Sequence, residues 1–247
     1  MDAFGKLLSI LAVSALALLP ARADLIVNEL HGFNVSGAAA LPSISFIACS
    51  ASTADATTYT FTDVAAGTEG ATRRYLVGVI LEDGTLNYGV ASMTVEAVAA
   101  TEIVDNDGAR SISGALYISE VVASGTVIDI VVTNTEAVTS TTICWWAVYD
   151  LTSPTPTSSV DVNAINDGVL ALTLSSTTIN GVAVGVCGAS AQPFTTTWAV
   201  LTERIDTTHA ESSYSAADAA ATGASMSVTC DYASGGDRVV GVAAAFR

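Results

Sequence analysis

Short runs of β-branched and small residues, each closed by a turn sequence, recur about every ten residues from residue 25 onward. No stretch of helical period lies between them, which is typical of an all-β chain. Turn signals such as Glu82-Asp83-Gly84 and Asn166-Asp167-Gly168 separate the runs. The candidate strands are 44–51, 57–64, 74–81, 87–98, 114–122, 127–134, 142–151, 168–174, 182–188, 196–205, 225–231 and 238–246.

About a dozen strands in about 220 residues predict a two-sheet antiparallel β-sandwich with a jelly-roll-like topology. Hydrophobic residues make up 51% of the chain but aromatic residues only 6%. We therefore expect a core built mostly from β-branched and small side chains, with few large rings.

The first 23 residues have a different character from the rest. Residues 7–19 form an uncharged apolar run, followed by Pro20 and the small residues Ala21 and Ala23. This order is that of a secretory signal peptide, and the run is too short for a comfortable membrane span. The alternative is an uncleaved apolar N-terminal helix that packs on the domain or on a partner.

One stretch in the remaining β-sandwich domain, 24–247, has the composition of a linker. Residues 152–159 are rich in serine and threonine and contain Pro154 and Pro156. Composition does not change across this stretch, so we expect a crossover within one sandwich rather than a domain boundary.

Charge and motifs exclude several functions. The chain has 24 Asp and Glu against 8 Lys and Arg, a formal net charge of −16, which repels nucleic acid. No metalloprotease, nucleophile-elbow, phosphate-loop or dinucleotide motif is present. His31 and His209 are far apart in sequence and lack metal-ligand spacing. The sequence therefore predicts no enzyme, no catalytic residue and no cofactor.

Calcium is the one cation for which the sequence offers ligands. Asp105, Asn106 and Asp107 cluster in one turn, and Asp161, Asn163, Asn166 and Asp167 cluster in another. Hard cations prefer such oxygen ligands, although Asx-rich turns also form without an ion.

Four cysteines, Cys49, Cys144, Cys187 and Cys230, lie in or beside candidate strands. An exported chain would join them as two disulfides, with three pairings open, whereas a cytosolic chain would bury them as thiols.

Trp145 and Trp146 are adjacent, so a strand places them on opposite faces of its sheet. The Trp146 face also carries Cys144 and Val148 and is the more apolar, so Trp146 should enter the core. We expect Trp145 to face a loop or a partner, as an interface residue or a sugar-stacking residue.

Several segments together resemble a pattern found in uncharacterised β-sandwich proteins of tailed bacteriophages and prophages. These segments are GVAVGVC at 181–187, TWAVLTER at 197–204, SSYSAAD at 212–218 and RVVGVAAAFR at 238–247, with RRYLVGV at 73–79 and WAVYDL at 146–151 upstream. The resemblance covers most of 57–247 and implies a virion structural or surface protein without catalytic residues. The leader-like N-terminus and the cysteines depart from that pattern.

We therefore expect a non-enzymatic virion protein, a capsid decoration or tail-fibre subunit, that forms a homo-oligomer and contacts other virion proteins. The alternative is a secreted or cell-surface adhesin or carbohydrate-binding module that recognises a host-surface glycan. We expect no binding to nucleic acid and no stable membrane span.

Overall fold

The computed structural model describes residues 40–83, 88–106, 111–165, 169–175, 177–190, 195–209, 212–223, 225–232 and 238–247. The expected all-β class is confirmed, since no helix occurs among the described residues. Leu41–Arg247 forms one compact unit. The described part of the chain contains no helix long and apolar enough to cross a membrane. The predicted signal peptide or apolar helix at 1–23 lies outside the described residues.

The described residues form strands β1 to β17. Their bounds are β1 Ser43–Ser52, β2 Ala56–Ala65, β3 Arg74–Glu82, β4 Val90–Val95, β5 Val98–Ala99, β6 Thr101–Asn106, β7 Ile112–Ile118, β8 Val127–Val138, β9 Ser140–Tyr149, β10 Ser158–Ile165, β11 Val169–Leu174, β12 Gly181–Ser190, β13 Thr196–Ala199, β14 Thr202–His209, β15 Ser212–Ala221, β16 Met226–Tyr232 and β17 Arg238–Phe246.

These strands build four antiparallel sheets instead of the two that the sequence predicts. The N-terminal inner sheet has the order β1-β9-β3-β7-β6, and the N-terminal outer sheet has the order β2-β8-β4-β5. The C-terminal inner sheet has the order β10-β17-β12-β15-β14, and the C-terminal outer sheet has the order β11-β16-β13. Each inner sheet packs on its own outer sheet, and the two inner sheets pack on each other.

The burial pattern of each strand follows from the number of covered faces. β11 alternates exposed and buried residues, as expected for a strand covered on one face. β12 is buried at every position, and β9 is buried from Ser140 to Val148, because both inner sheets are covered on both faces. Unbroken apolar runs therefore mark central strands of the inner sheets, such as β3, β9 and β12, and alternating runs mark strands of the outer sheets.

The two halves repeat one topology. In the N-terminal half β1 pairs with β9, β9 with β3, and β3 with β7. In the C-terminal half β10 pairs with β17, β17 with β12, and β12 with β15. β1, β9, β3, β7 and β6 thus correspond to β10, β17, β12, β15 and β14, and β2, β8 and β4 correspond to β11, β16 and β13. Each half is a jelly-roll-like sandwich.

The Pro- and Ser/Thr-rich stretch connects these halves, because β9 ends at Tyr149 and β10 begins at Ser158. It is tied to the last strand rather than extended away from it. The amide of Thr152 donates to the carbonyl of Arg247 at 2.7 Å, and the amide of Thr157 donates to that of Ala245 at 2.8 Å.

Candidate functional site

Interlocking side chains hold the two inner sheets together. A Cβ on Gly78 would lie 2.4 Å from Cγ1 of Val186, and a Cβ on Gly188 would lie 2.6 Å from Cγ2 of Ile80. Only glycine leaves room for these two opposing side chains. The contact moves from residue 78 to residue 80 on β3 as it moves from 186 to 188 on β12, so the two strands run in the same direction. Corresponding strand ends of the two halves therefore lie at the same end of the unit.

A buried polar cluster joins the halves at the same interface. The Asp218 carboxylate, 1% exposed, accepts a hydrogen bond from Nε1 of Trp146 at 2.8 Å. It also accepts from Nε and Nη2 of Arg204 at 2.8 and 2.6 Å. Asp218 and Arg204 belong to the C-terminal inner sheet and Trp146 to the N-terminal inner sheet, so this carboxylate bridges the two halves.

The opposite charges of Arg204 and Asp218 stabilise each other. The hydrogen bond to Asp218 raises the pKa of the Arg204 guanidinium above its usual value, although partial burial acts in the opposite direction. The arrangement leaves the buried carboxylate with three donors, which is what a charge in a dry interface requires. The cluster therefore joins the two halves through buried hydrogen bonds.

The edge strands β6 and β14 begin with similar sequences. β6 begins Thr-Glu-Ile-Val-Asp and β14 begins Thr-Glu-Arg-Ile-Asp, and both contain a bulge after the glutamate. Asp105 accepts from the amide of Val90 at 3.2 Å, and Asp206 accepts from the amide of Thr196 at 2.8 Å. Val90 and Thr196 are the first residues of the corresponding strands β4 and β13. The repeat therefore extends to individual hydrogen bonds.

Glu203 completes the acidic edge of β14. Desolvation by its surroundings, and secondarily the nearby Asp206, raise the pKa of the Glu203 carboxyl. Ionised Glu203 is thus less favourable in the folded chain than in water.

A buried arginine organises one end of the N-terminal sandwich. Arg73 is fully buried, and its guanidinium donates only to main-chain carbonyls among the described residues. These carbonyls belong to Ala66, Gly67, Thr68, Val122, Ser124 and Gly125. Two connections, one before β3 and one before β8, are therefore fixed to each other by a single side chain.

The outer faces of the two outer sheets consist mainly of small side chains. On the N-terminal outer sheet, rows of paired residues cross the strands: Thr58, Thr133 and Ser92, then Thr60, Val131, Thr94 and Ala99. On the C-terminal outer sheet the rows are Ala171, Thr229 and Ala199, then Thr173 and Ser227. Such side chains have few rotamers, so covering them costs little side-chain entropy.

The cysteines form two bridges, one in each half. Cys49 and Cys144 are direct partners on β1 and β9, with Cα atoms 4.0 Å apart. Cys187 on β12 is bonded to Cys230 on β16, with Cα atoms 6.7 Å apart, and joins the inner sheet to the outer sheet. Neither bridge crosses between the halves.

Trp145 does not lie at a surface where it could contact a partner or stack on a sugar, as its sequence position predicts. It is 2% exposed and lies in the N-terminal sandwich core, where Nε1 donates to the carbonyl of Ala65 at 2.9 Å. Trp146 is fully buried between the inner sheets, next to Phe46. The expectation fails because it allowed the sheet one covered face, whereas β9 has two.

One described residue of each oxygen-rich cluster is in contact with the other cluster. Nδ2 of Asn106 donates to Oδ2 of Asp161 at 2.8 Å, between edge strands of the two inner sheets. Asp107 and Asp167 lie outside the described residues. In the described part of the chain no three His, Cys, Asp or Glu side chains converge as metal ligands. The expectation of no cofactor, with calcium as the alternative, stays a prediction. His209 ends β14, and His31 lies outside the described residues.

Comparisons with known proteins give no family. No protein-family model and no curated protein sequence matches the chain. Among solved structures, the PBSX exported protein XepA is 14% identical over 82% of this chain and 86% of that chain, with a TM-score of 0.22. A structure of Red Clover Necrotic Mosaic Virus is 10% identical over 83% of this chain and 96% of that chain, with a TM-score of 0.27. One of Melon necrotic spot virus is 11% identical, with the same coverage and a TM-score of 0.25. These TM-scores are low, so the likenesses decide neither fold nor function.

Proposed function

We propose that this chain is a non-enzymatic structural protein of a phage virion, a capsid decoration or tail-fibre subunit that assembles with its own copies and with other virion proteins. The observation that carries the proposal is the duplicated architecture. Two sandwiches are locked through their inner sheets into one block, and this leaves two corresponding small-residue faces, on the two outer sheets, on opposite sides.

This block suits an assembly role for physical reasons. Burial of Asp218 with Trp146 and Arg204, together with the interlocked glycine contacts, favours one fixed arrangement of the halves. A rigid subunit loses little internal freedom when it assembles, and its Ser, Thr and Ala faces lose little side-chain entropy. The net charge of −16 fits a surface component better than one that packages nucleic acid.

Mass spectrometry of purified particles tests the proposal. We expect peptides from both halves at the abundance of a structural protein, and their abundance should persist through density-gradient purification. Absence of the chain from every particle preparation would contradict a virion role.

The second candidate is a secreted or cell-surface adhesin or carbohydrate-binding module, and the two disulfides favour it because bridges persist in oxidising compartments. Burial of Trp145 removes its proposed stacking residue, so any glycan would bind elsewhere. Sequencing of the mature N-terminus distinguishes the candidates: a chain that begins at Asp24 supports export, and one that begins at Met1 or Asp2 supports direct assembly. A glycan array without binding by the folded chain removes the carbohydrate-binding form.

A further inference from the structure

The inner sheets have four edge strands, and three of them carry carboxylates. β6 contains Glu102 and Asp105, β14 contains Glu203 and Asp206, and β10 contains Asp161. Charges on an edge strand keep that edge from pairing with another chain.

The fourth edge strand, β1, has no such charge. Its ten residues, Ser43–Ser52, contain no Asp, Glu, Lys or Arg. Ile44, Phe46 and Ile47 are only partly buried, whereas the adjacent β9 is buried almost throughout. Among the described residues, no strand pairs with the side of β1 that faces away from β9. A long, uncharged edge strand of this kind is a template for another strand.

β1 is also held in place on its other side. It pairs with β9 along its length, with one bulge between Phe46 and Ala48, and the Cys49–Cys144 bridge joins the two strands. An incoming strand would therefore meet an edge that is already ordered, which lowers the entropy cost of pairing.

We propose that the outer edge of β1 pairs antiparallel with β1 of a second copy of this chain. The two N-terminal inner sheets then continue into each other across a twofold axis. Symmetry and charge together select this strand for a pair of copies: in a twofold strand pair a carboxylate near the axis would face its own counterpart, and like charges placed opposite each other destabilise a strand pair in a chain that already carries −16. Of the four inner-sheet edges, only β1 lets two such copies meet without opposing carboxylates.

This inference rests on the proposed assembly role and names one surface for it. The two can fail separately. A chain that is abundant in particles but monomeric in solution keeps the virion role and overturns the β1 pairing.

Sedimentation of the full chain, with its disulfides intact, tests the pairing alongside two matched variants. Ser45→Glu places a carboxylate on an exposed position of β1, and Thr208→Glu places one on an exposed position of the edge strand β14, outside the small-residue faces. We expect a dimer whose dissociation constant rises at least about tenfold in Ser45→Glu and stays within about twofold in Thr208→Glu. Thermal unfolding should show that both variants fold.

Hydrogen exchange supplies the second measurement. Amides of β1 should gain protection as the concentration rises, whereas those of β14 should not. A chain that remains monomeric at roughly 100 µM would overturn the pairing. So would concentration-independent protection of β1, which would mean that another segment of the same chain covers the edge. A dimer that Ser45→Glu leaves intact would place the contact elsewhere and would also overturn it.

Discussion

Replacing Asp218 by alanine removes the acceptor that Trp146 and Arg204 share between the two halves. Nε1 of Trp146 would then lie unpaired in a fully buried site, at a cost of about 1 to 3 kcal/mol. The Arg204 side chain is 40% exposed and can turn to water, so its loss adds at most about 1 kcal/mol. We expect Asp218→Ala to lower the free energy of unfolding by about 2 to 3 kcal/mol.

Urea unfolding, followed by tryptophan fluorescence with both disulfides intact, measures this change. An unchanged m value shows that the variant and the parent chain expose the same surface on unfolding and can be compared. Asp218→Asn keeps an acceptor for Trp146 and should lose only about 1 kcal/mol. Asp231→Ala, an exposed aspartate on an outer face, is the matched control and should change stability by less than about 0.5 kcal/mol.

A double-mutant cycle isolates the contact between the halves. Trp146→Phe removes the indole donor, so in that background Asp218→Ala should cost less by about 1 kcal/mol. Additive losses in the cycle, or an Asp218→Ala loss no larger than that of Asp231→Ala, would refute the idea that this carboxylate bridges the halves.

Four further substitutions test the packing and the electrostatics. Trp145→Ala and Trp146→Ala should each cost about 3 to 5 kcal/mol in urea unfolding, since both rings are buried; a negligible loss for Trp145→Ala would restore its assignment as an interface residue. Gly78→Ala should cost about 1 to 3 kcal/mol because its Cβ would overlap Val186, and an unchanged midpoint would show that the inner sheets do not meet there. Folding raises the pKa of the Glu203 carboxyl, so the folded chain ionises this group less readily than the unfolded chain does. The free energy of unfolding therefore falls as the pH rises from the pKa of Glu203 in the unfolded chain to its pKa in the folded chain. Glu203→Gln should therefore raise the melting temperature at neutral pH but not below about pH 4, and an equal effect at both pH values would contradict the shift.

The all-β class followed from local pattern, but the number of sheets did not. Turn residues and strand-length runs predict strands wherever they occur, whether a sheet is covered on one face or on two. The distinction was present in the sequence as unbroken apolar runs, such as 75–81 in β3, against the alternating residues of β11. Counting covered faces from these runs would have indicated four layers and placed Trp145 inside.

Three strands were missed for a different reason. β15 consists mainly of Ser and Ala, and β6 and β10 contain only short apolar stretches between polar residues. Their pairing depends on neighbouring strands, which a local pattern does not contain. One predicted strand, 196–205, is two strands, divided at Val200 with its φ of 75°.

The duplication also left a signal in the sequence. The tripeptide Val-Gly-Val recurs, but in β3 its glycine faces the other inner sheet, and in β12 its glycine faces Trp198 within the C-terminal sandwich. The structural repeat is instead marked by Thr-Glu-x-x-Asp at the start of β6 and of β14. The partnership of Trp146 with Asp218 had no sequence signal, because the two residues are 72 positions apart and their contact exists only once the inner sheets pack.

Cleavage of the connection between the halves tests the central claim, that two separately bridged sandwiches form one block through their inner sheets. A protease site inserted between Pro154 and Thr155, which are exposed, would be cut in the folded chain. Because each disulfide lies within one half, the account predicts two fragments on a non-reducing denaturing gel and a single, unchanged particle in native sedimentation. One band on the non-reducing gel would show that a bridge crosses between the halves, and separation of the fragments under native conditions would show that the inner sheets do not hold the block together.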